Sequence, residues 1–457
     1  MSDGAVDLVV LGGGSGGYAA ALRAAELGMS VVLVEKDKVG GTCLHRGCIP
    51  TKALLHSAET ADSARESERF GVRATFDGID MPAVNTYKDG VVARLYKGLQ
   101  GLVSSRKIEV VVGEGRLSSP TSVTVGDRVV EAAHVLLATG SVPKSLPGLE
   151  VDGARVITSD HALHLEHVPA SVVILGAGAI GVEFASVWRS FGAEVTIVEA
   201  LPHLLPAEEE SSSKLLERAY RRRGIGFKLG ARFSGVERTE TGVRVALESG
   251  DVLEAELLLV ATGRGPVSAG MGYEEAGVEL DRGFVKVDAT CQTTVPTISA
   301  LGDLIPTLQL AHVGFGEGIM VAERLAGLEP APIDYDGVPR VTYSEPEVAS
   351  VGITSAEATR RGYDVVTLTY DLAGNGKAQI LATAGAVTLV AAKDGPVLGI
   401  HMVGSRVGEL IAEAQLITNW EAYAAEVAAL IHPHPTLSEA VGEAHLALAG
   451  KPLHSHG

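Results

Sequence analysis

Two of the chain's three cysteines stand in one short stretch, GGTCLHRGCIPTK (residues 40–52), at Cys43 and Cys48. Thiols this scarce and this close can bind a metal, fill apolar space, or exchange electrons as a reversible disulfide. A zinc site needs two more ligands; His45 and His56 are near, but no CxxC and no second matching pair accompanies them. An inert pair leaves the surrounding glycines and proline unexplained. In an ideal helix residues five apart are about 8 to 9 Å from each other, beyond the roughly 7 Å limit for a disulfide. If the two bond, the segment must leave regular helix, and Gly40, Gly41, Gly47 and Pro50 suit that departure. A strained, short-loop disulfide is readily reduced, and a redox pair beside a cofactor is the reading that accounts for most of the segment. Lys52, four residues after Cys48, shares its face if a helix begins there and would favour a thiolate; its plainer role is a surface lysine. Cys291, alone in ATCQTTVP, reads as a small apolar residue.

A second chemical group lies far along the chain, in IHPHPTLSEA (residues 431–440). His434 sits between Pro433 and Pro435, which stiffen the backbone and mount the imidazole. Glu439 has two readings: it orients His434 as a base for a thiol, or it closes a T-x-x-E capping box with Thr436 at the next helix start. His432 and the terminal HSHG read as solvent-facing.

The elements that must position these groups repeat. VDLVVL, GGGSGG, YAAALRAAELG and SVVLVE run as strand, glycine turn, helix and strand, and SVVIL, GAGAIG, VEFASVWRSFG and AEVTIVE repeat the order from residue 171. At a constant offset of 164 residues, Gly12, Gly14, Gly17, Gly28 and Glu35 fall on Gly176, Gly178, Gly181, Gly192 and Glu199. The first glycine of each set permits a tight turn, the second lets backbone approach a pyrophosphate, and the third lets helix and strand pack closely. The amides at the helix start face the phosphates, and the acid 18 residues after the third glycine accepts from an adenosine ribose. A lone glycine motif is weak evidence, but here strand, helix and acid accompany it twice. ALPHLLP, without an arginine, follows Glu199, so the second site suits NAD over NADP if its loop folds back.

From about residue 336 the pattern changes to alternating strand segments such as AVTLVAAK and LGIHMVG followed by helical GELIAEAQLITNW, which predicts a third, α+β domain. EEESSS (208–213) reads as a solvated helix start and RRRG (221–224) as its exposed end. The 457 residues, 46% hydrophobic and 21% charged, suit a folded chain of roughly three domains. A formal charge of -18, from 38 basic and 56 acidic residues, disfavours nucleic acid and anionic membranes as partners. No leader pattern is found and no apolar run nears the ~18 residues of a membrane helix, so a cytoplasmic location is expected, where structural disulfides are rare.

GGTCLHRGCIPTK after a dinucleotide fold, the second GAGAIGVE, TTVPTISALGD (293–303) and HPTLSE near the end occur in an order that resembles the pyridine nucleotide-disulfide oxidoreductases of class I, and most closely their dihydrolipoamide-oxidising members, over essentially the whole chain. The resemblance implies an α/β fold with two Rossmann-like dinucleotide-binding domains plus a C-terminal α+β dimerisation domain. Its implied boundaries are an FAD-binding domain at 1–148 returning at 265–335, an NAD-binding domain at 149–264, and the dimerisation domain at 336–457. It implies that Gly12, Gly14, Gly17 and Glu35 hold the ADP half of FAD, that Gly115 and Thr139, Gly140 and Ser141 line it, that Asp303 binds the ribityl chain, and that Ala311 and His312 meet the flavin ring through backbone. Gly176, Gly178, Gly181, Glu199 and Gly263 would bind NAD. Lys52 would sit near the flavin and pair with Glu183, which aligns with Ala19 of the first copy. Cys43 would be the thiol that meets substrate and Cys48 the one that contacts flavin, with His434 and Glu439 supplied by the other subunit of a homodimer.

The implied activity is FAD-dependent oxidation of protein-bound dihydrolipoamide to lipoamide with reduction of NAD, within a 2-oxo acid dehydrogenase or glycine cleavage complex. The implied partner is a lipoyl-bearing acyltransferase or glycine cleavage carrier protein. His45 and Arg46 replace a smaller pair between the cysteines, and RGP follows Gly263 where another arginine is common; both put local charge in doubt. No cysteine follows Cys291, against mercuric and large thioredoxin reductases, and ALPHLLP lacks the arginine of the NADP-using glutathione-type enzymes. A reductase of another low-molecular-weight disulfide is the alternative.

Overall fold

The computed structural model describes residues 5–454. The chain forms two compact units. One runs through Ala53 and takes in Pro82–Lys144 and Gly263–Tyr335; the other comprises Leu54–Met81, Ser145–Thr262 and the chain from Asp336 onward.

The first unit is built on a sheet whose parallel strands run in the order Glu109–Val112, Val31–Glu35, Val6–Leu11 and Arg128–Leu137, with Ile298–Ala300 also pairing with Arg128–Leu137. Leu8, Val9 and Val10 are wholly buried, as an apolar run without alternation requires when both faces of a parallel strand are covered. Helix Ser15–Glu26 packs against helix Ala311–Leu325. A Cβ on Gly318 would lie 2.5 Å from the Gly16 carbonyl oxygen, so the two helices meet backbone to backbone. A two-stranded antiparallel ribbon, Ser141–Pro143 with Arg264–Pro266, lies where the segment Pro82–Lys144 ends and the segment Gly263–Tyr335 begins.

The second unit contains a parallel sheet in the order Gly226–Lys228, Glu194–Val198, Ser171–Leu175, Leu257–Val260 and Val156–Ile157, and an antiparallel meander of Phe233–Arg238, Val243–Leu247 and Val252–Ala255. Its C-terminal part is a five-stranded antiparallel sheet, from Arg340–Thr342 through Glu347–Gly352, Val397–Gly404 and Ala386–Ala392 to Val365–Asp371. Helices Val407–Asn419 and Glu439–Leu448 lie against that sheet. Two dinucleotide-type α/β sheets and a C-terminal α+β part are thus the architecture expected from the sequence.

Two local expectations are corrected. Helix Glu210–Arg223 does form, but its start is solvated only in part: Glu210 is exposed, whereas Ser212 and Ser213 are buried and Glu209 accepts bonds from the Ser355 amide and hydroxyl, each at 2.8 Å. At its end Arg221 and Arg222 are exposed, whereas Arg223 turns inward and donates to Ser186 Oγ at 2.8 Å, Ser190 Oγ at 2.7 Å and Asp62 Oδ2 at 3.0 Å. A guanidinium can satisfy several acceptors at once, which a run of arginines in a sequence does not disclose.

Candidate active site

The two glycine turns close in the same way. Gly12 and Gly176 take φ of 109° and 104°, accessible chiefly to glycine, and a Cβ on Gly17 or Gly181 would lie 1.9 or 2.0 Å from the carbonyl oxygen of Gly12 or Gly176. At Gly14 and Gly178 a Cβ would meet no protein atom within 4 Å. Those two positions present bare backbone to open space at the start of helices Ser15–Glu26 and Ala179–Phe191. Each turn therefore fits a dinucleotide pyrophosphate, with amides and a helix dipole to receive it.

The acids repeat too. Glu35 Oε2 accepts from the Gly13 amide at 2.7 Å and Oε1 from Asp37 at 2.9 Å; Glu199 Oε2 accepts from Ala177 at 2.8 Å and Oε1 from Leu201 at 2.8 Å. Each carboxylate ties its glycine turn to the end of the neighbouring strand and keeps lone pairs for further donors. The loop after Glu199 folds back, with the Leu205 amide donating to the Ala177 carbonyl at 2.9 Å.

The cysteine segment is a broken helix. Gly41–Arg46 and Cys48–Glu66 are separate helices, and Gly47 between them leaves helical geometry at φ -148°, ψ -107°. The break is the departure from helix that a bond between thiols five residues apart would require. Gly40 and Gly41 adopt positive φ at the segment's start, and a Cβ on Gly41 would lie 2.6 Å from Gly14 Cα. The thiols are thereby seated against the first glycine turn. Cys43 and Cys48 are both half-buried free thiols, and the hydrogen bond to Cys48, burial and the Cys48 charge together push the Cys43 thiol strongly up, against an opposing pull from Lys52 and Ser15. Tyr18 feels the same neighbours: burial first, then Cys43 and Cys48, push its hydroxyl up to about 12.

The residues between the cysteines are engaged elsewhere. His45 Nε2 lies 3.0 Å from the Val39 carbonyl oxygen and its ring meets Tyr96 edge-on, while Arg46 pairs with Asp37. The added cation is thus neutralised locally.

Asp303 and Ser141 come together, with Ser141 Oγ donating to Asp303 Oδ2 at 2.5 Å. Thr139 faces inward, its hydroxyl 2.6 Å from the Val267 carbonyl oxygen and 2.9 Å from Tyr273 Oη. Gly115 is buried, and a Cβ there would run into Leu11 and Val34 at 2.6 and 2.7 Å, so packing alone demands glycine. Gly140 and Gly263 adopt positive φ and would place a Cβ in open space. Ala311 and His312 open helix Ala311–Leu325. Arg264, of the RGP that follows Gly263, donates to Ser141 Oγ and to the Ser141 carbonyl, both at 2.7 Å, a role that its sequence context does not mark. Beside it Gly265 makes room for Lys144, whose Cε would be 2.5 Å from a Cβ there, so a lysine stem fills the place of the expected second arginine side chain.

In the second unit Glu183 is buried in helix Ala179–Phe191, and its Oε1 accepts from the Tyr343 amide at 2.9 Å. His434 is largely exposed, with Nδ1 2.8 Å from Glu439 Oε1, while Glu439 Oε2 accepts from the Thr436 amide at 2.7 Å. Although burial opposes it, the Thr436 amide and His434 hold Glu439 below the usual carboxylate range. Both readings of Glu439 are realised in one side chain, one per oxygen.

The expectation of a solvent-facing His432 is corrected: its side chain is only 12% exposed, and Nε2 lies 2.7 Å from Glu413 Oε1. His454 stays exposed, as expected, although its Nδ1 lies 2.8 Å from Glu443 Oε1, and the rest of HSHG lies outside the described residues. A histidine between an isoleucine and a proline carries no mark of a partner 19 residues away.

Among the described residues no group of three or more His, Cys, Asp or Glu side chains could hold a metal ion, and no helix is long and apolar enough to cross a membrane.

Two dinucleotide folds with a vicinal thiol pair seated on the first glycine turn define a flavin- and nicotinamide-dependent disulfide oxidoreductase. The sequence profile of the family described as "Pyridine nucleotide-disulphide oxidoreductase" matches residues 6–318, and that of its dimerisation domain matches residues 338–445. The chain belongs to this family; it is an oxidoreductase, its cofactors are FAD and NAD(H), and it pairs as a homodimer. It is 43% identical to dihydrolipoyl dehydrogenase of Bacillus subtilis, covering 98% of this chain and 99% of that one. It is 38% identical to mitochondrial dihydrolipoyl dehydrogenase of Pisum sativum, over 98% and 92% of the two chains. Among solved structures, LpdA from Mycobacterium tuberculosis matches with a TM-score of 0.90 at 28% identity, over 97% of this chain and 100% of that one. The HOCl-induced flavoprotein disulfide reductase RclA from Escherichia coli matches with a TM-score of 0.86 at 27% identity, over 96% and 99%.

Proposed function

We propose that the chain oxidises dihydrolipoamide carried on a partner protein to lipoamide and reduces NAD. The observation that carries this reading is the pair Cys43 and Cys48, on a helix broken at Gly47 and set against the first dinucleotide turn. Full-length identity of 43% to a dihydrolipoyl dehydrogenase supports the substrate class.

His434, supplied by the second copy of the chain and oriented by Glu439, takes a proton from one thiol of the substrate. The thiolate attacks Cys43 Sγ; a mixed disulfide forms, the Cys43–Cys48 bond breaks, and Cys48 leaves with the electron pair. The second substrate thiol attacks the sulfur bound to Cys43, closing lipoamide, and Cys43 departs as a thiolate that takes the proton held by His434. The second substrate proton goes to solvent. The substrate has lost two electrons, and the enzyme pair has gained them as a dithiol with one sulfur ionised. FAD and NAD, when bound, supply the two-electron outlet that returns the pair to the disulfide.

In this reading Gly12, Gly14, Gly17, Glu35, Gly115, Thr139, Gly140, Ser141, Asp303, Ala311, His312 and Lys52 surround FAD. Gly176, Gly178, Gly181, Glu183, Glu199 and Gly263 serve NAD, with Lys52 paired to Glu183. The division assigns FAD binding to residues 1–148 and 265–335, NAD binding to 149–264 and dimerisation to 336–457. The partner is a lipoyl-bearing acyltransferase or glycine cleavage carrier protein, and the compartment is the cytoplasm.

The test is anaerobic. Dihydrolipoamide added to the purified holoenzyme raises a thiolate-to-flavin absorption band, and NAD added next yields NADH. If dihydrolipoamide does nothing while NADH raises the band, the substrate is another disulfide. His434→Gln is expected to abolish lipoamide turnover and to spare NADH oxidation by artificial acceptors; unchanged lipoamide turnover removes His434 from the mechanism.

A further inference from the structure

Arg264 joins three segments that are far apart in sequence. Its Nε donates to Ser141 Oγ at 2.7 Å, and its Nη2 donates to the Ser141 carbonyl oxygen at 2.7 Å and to Thr42 Oγ1 at 3.4 Å. Ser141 Oγ in turn donates to Asp303 Oδ2 at 2.5 Å, and Arg264 Nε lies 3.8 Å from that same oxygen. The order of donation is forced: a guanidinium only donates, an ionised carboxylate only accepts, and the hydroxyl between them does one of each. The Arg264 side chain is 12% exposed and Asp303 26%, so water screens the pair weakly.

Backbone holds both ends. Arg264 pairs with Pro143 in the two-stranded ribbon, which fixes its Cα opposite the strand that carries Ser141, two residues along. On the far side the Gly302 amide, which precedes Asp303, donates to Glu317 Oε2 at 2.6 Å, and Glu317 is wholly buried. Asp303 is therefore gripped through Oδ2 from the ribbon and through the amide of the residue before it from helix Ala311–Leu325, leaving Oδ1 to accept elsewhere. Thr42, at the other end of the guanidinium, directly precedes Cys43.

We propose that Arg264 is a positioning residue that sets Asp303 and the first turn of helix Gly41–Arg46, at Thr42 and Cys43, in one register. The inference rests on the reading that Asp303 binds FAD and that Cys43 is the exchanging thiol. Removing the guanidinium frees Asp303 to rotate and releases the turn that carries Cys43, so cofactor retention and thiol chemistry change together. A purely structural arginine would lower stability and leave both unchanged.

The experiment uses the purified holoenzyme with Arg264→Gln, Arg264→Lys, Asp303→Asn and Ser141→Ala. Flavin fluorescence on dilution gives the FAD dissociation constant, and the pH midpoint of the thiolate-to-flavin band after anaerobic NADH reduction reports the thiol pair. Arg264→Gln is expected to weaken FAD about tenfold, the worth of one charge-assisted bond, and to move the band midpoint. Arg264→Lys keeps the charge, loses the fork, and is expected to behave as Gln does. In an Asp303→Asn background Arg264→Gln is expected to add less than about twofold to the FAD constant, because the two act through one carboxylate. An unchanged FAD constant and band midpoint in Arg264→Gln overturn the proposal, as does full multiplication of the two effects. If Arg264→Gln does not fold, Ser141→Ala removes the linking hydroxyl and must show both changes; an unaltered Ser141→Ala overturns it equally. If Asp303→Asn alone leaves FAD affinity intact, the FAD reading of Asp303 fails, and the band midpoint decides on Arg264.

Discussion

His434 and Glu439 are joined by a 2.8 Å contact between Nδ1 and Oε1, while the other oxygen of Glu439 holds the Thr436 amide at 2.7 Å. The carboxylate that aims the imidazole is itself aimed by backbone. Because an ionised carboxylate only accepts, Nδ1 carries the proton and Nε2 is left as the basic nitrogen.

Glu439→Gln is accordingly expected to lower lipoamide turnover roughly 100-fold or more, by analogy with other carboxylates that orient a catalytic histidine. NADH oxidation by artificial acceptors is expected to persist. The lowered Glu439 value means that its contribution to stability is present above the unfolded carboxylate range and is lost as pH falls through the folded value. Urea midpoints of the two proteins, compared from pH 6 down to 3, are expected to converge on acidification.

The two glycine types in each turn separate folding from binding. A methyl at Gly17 or Gly181 collides with backbone at 1.9 or 2.0 Å and must part strand from helix. A methyl at Gly14 or Gly178 meets no protein atom within 4 Å. Gly178→Ala is thus expected to leave the thermal midpoint of the NAD-free protein unchanged and to raise KM for NAD at least tenfold, with the yellow flavin retained. Gly181→Ala is expected to lower that midpoint as well. Equal midpoints for the two variants would contradict the distinction.

Glu317 offers a stability test in the first unit. It is wholly buried and accepts from the Gly302 amide at 2.6 Å, Tyr335 Oη at 2.8 Å and Thr307 Oγ1 at 3.0 Å, while burial pushes its carboxyl up. Glu317→Ala strands three donors and leaves a cavity, an expected loss of about 3 to 5 kcal/mol in denaturant unfolding. Glu317→Gln retains an acceptor and is expected to cost about a third of that.

Much of this arrangement was legible in the sequence because local rules suffice for it. The glycine turns, the buried strands before them and the acids 18 residues beyond follow from spacing alone, and a departure from helix at one of Gly40, Gly41, Gly47 or Pro50 follows if the two thiols are to bond. Arg264 was not legible, since its partners lie 123 and 222 positions away and are delivered by the ribbon and the glycine turn. Arg223 and Glu209 were misread for the same reason: a charged run looks solvated until a neighbouring element supplies acceptors or donors. Gly115 is the reverse case, a glycine expected at a cofactor whose missing side chain is already required by Leu11 and Val34.

His432 carries the last prediction. Its ring sits between helix Val407–Asn419, through Glu413, and helix Glu439–Leu448, where a Cβ on Gly442 would lie 2.5 Å from Nδ1. This pins the loop that bears His434 to both helices. The Glu413 bond outweighs burial and raises the His432 value, so the pair's contribution is full below the unfolded histidine value and is lost as pH rises through the folded one. Glu413→Gln is expected to cost about 1 kcal/mol at pH 6 and progressively less toward pH 9. Because the loop then moves, lipoamide turnover should fall at pH 6 while acceptor-linked NADH oxidation holds. A stability gap that widens with pH would assign the opposite charge state to His432.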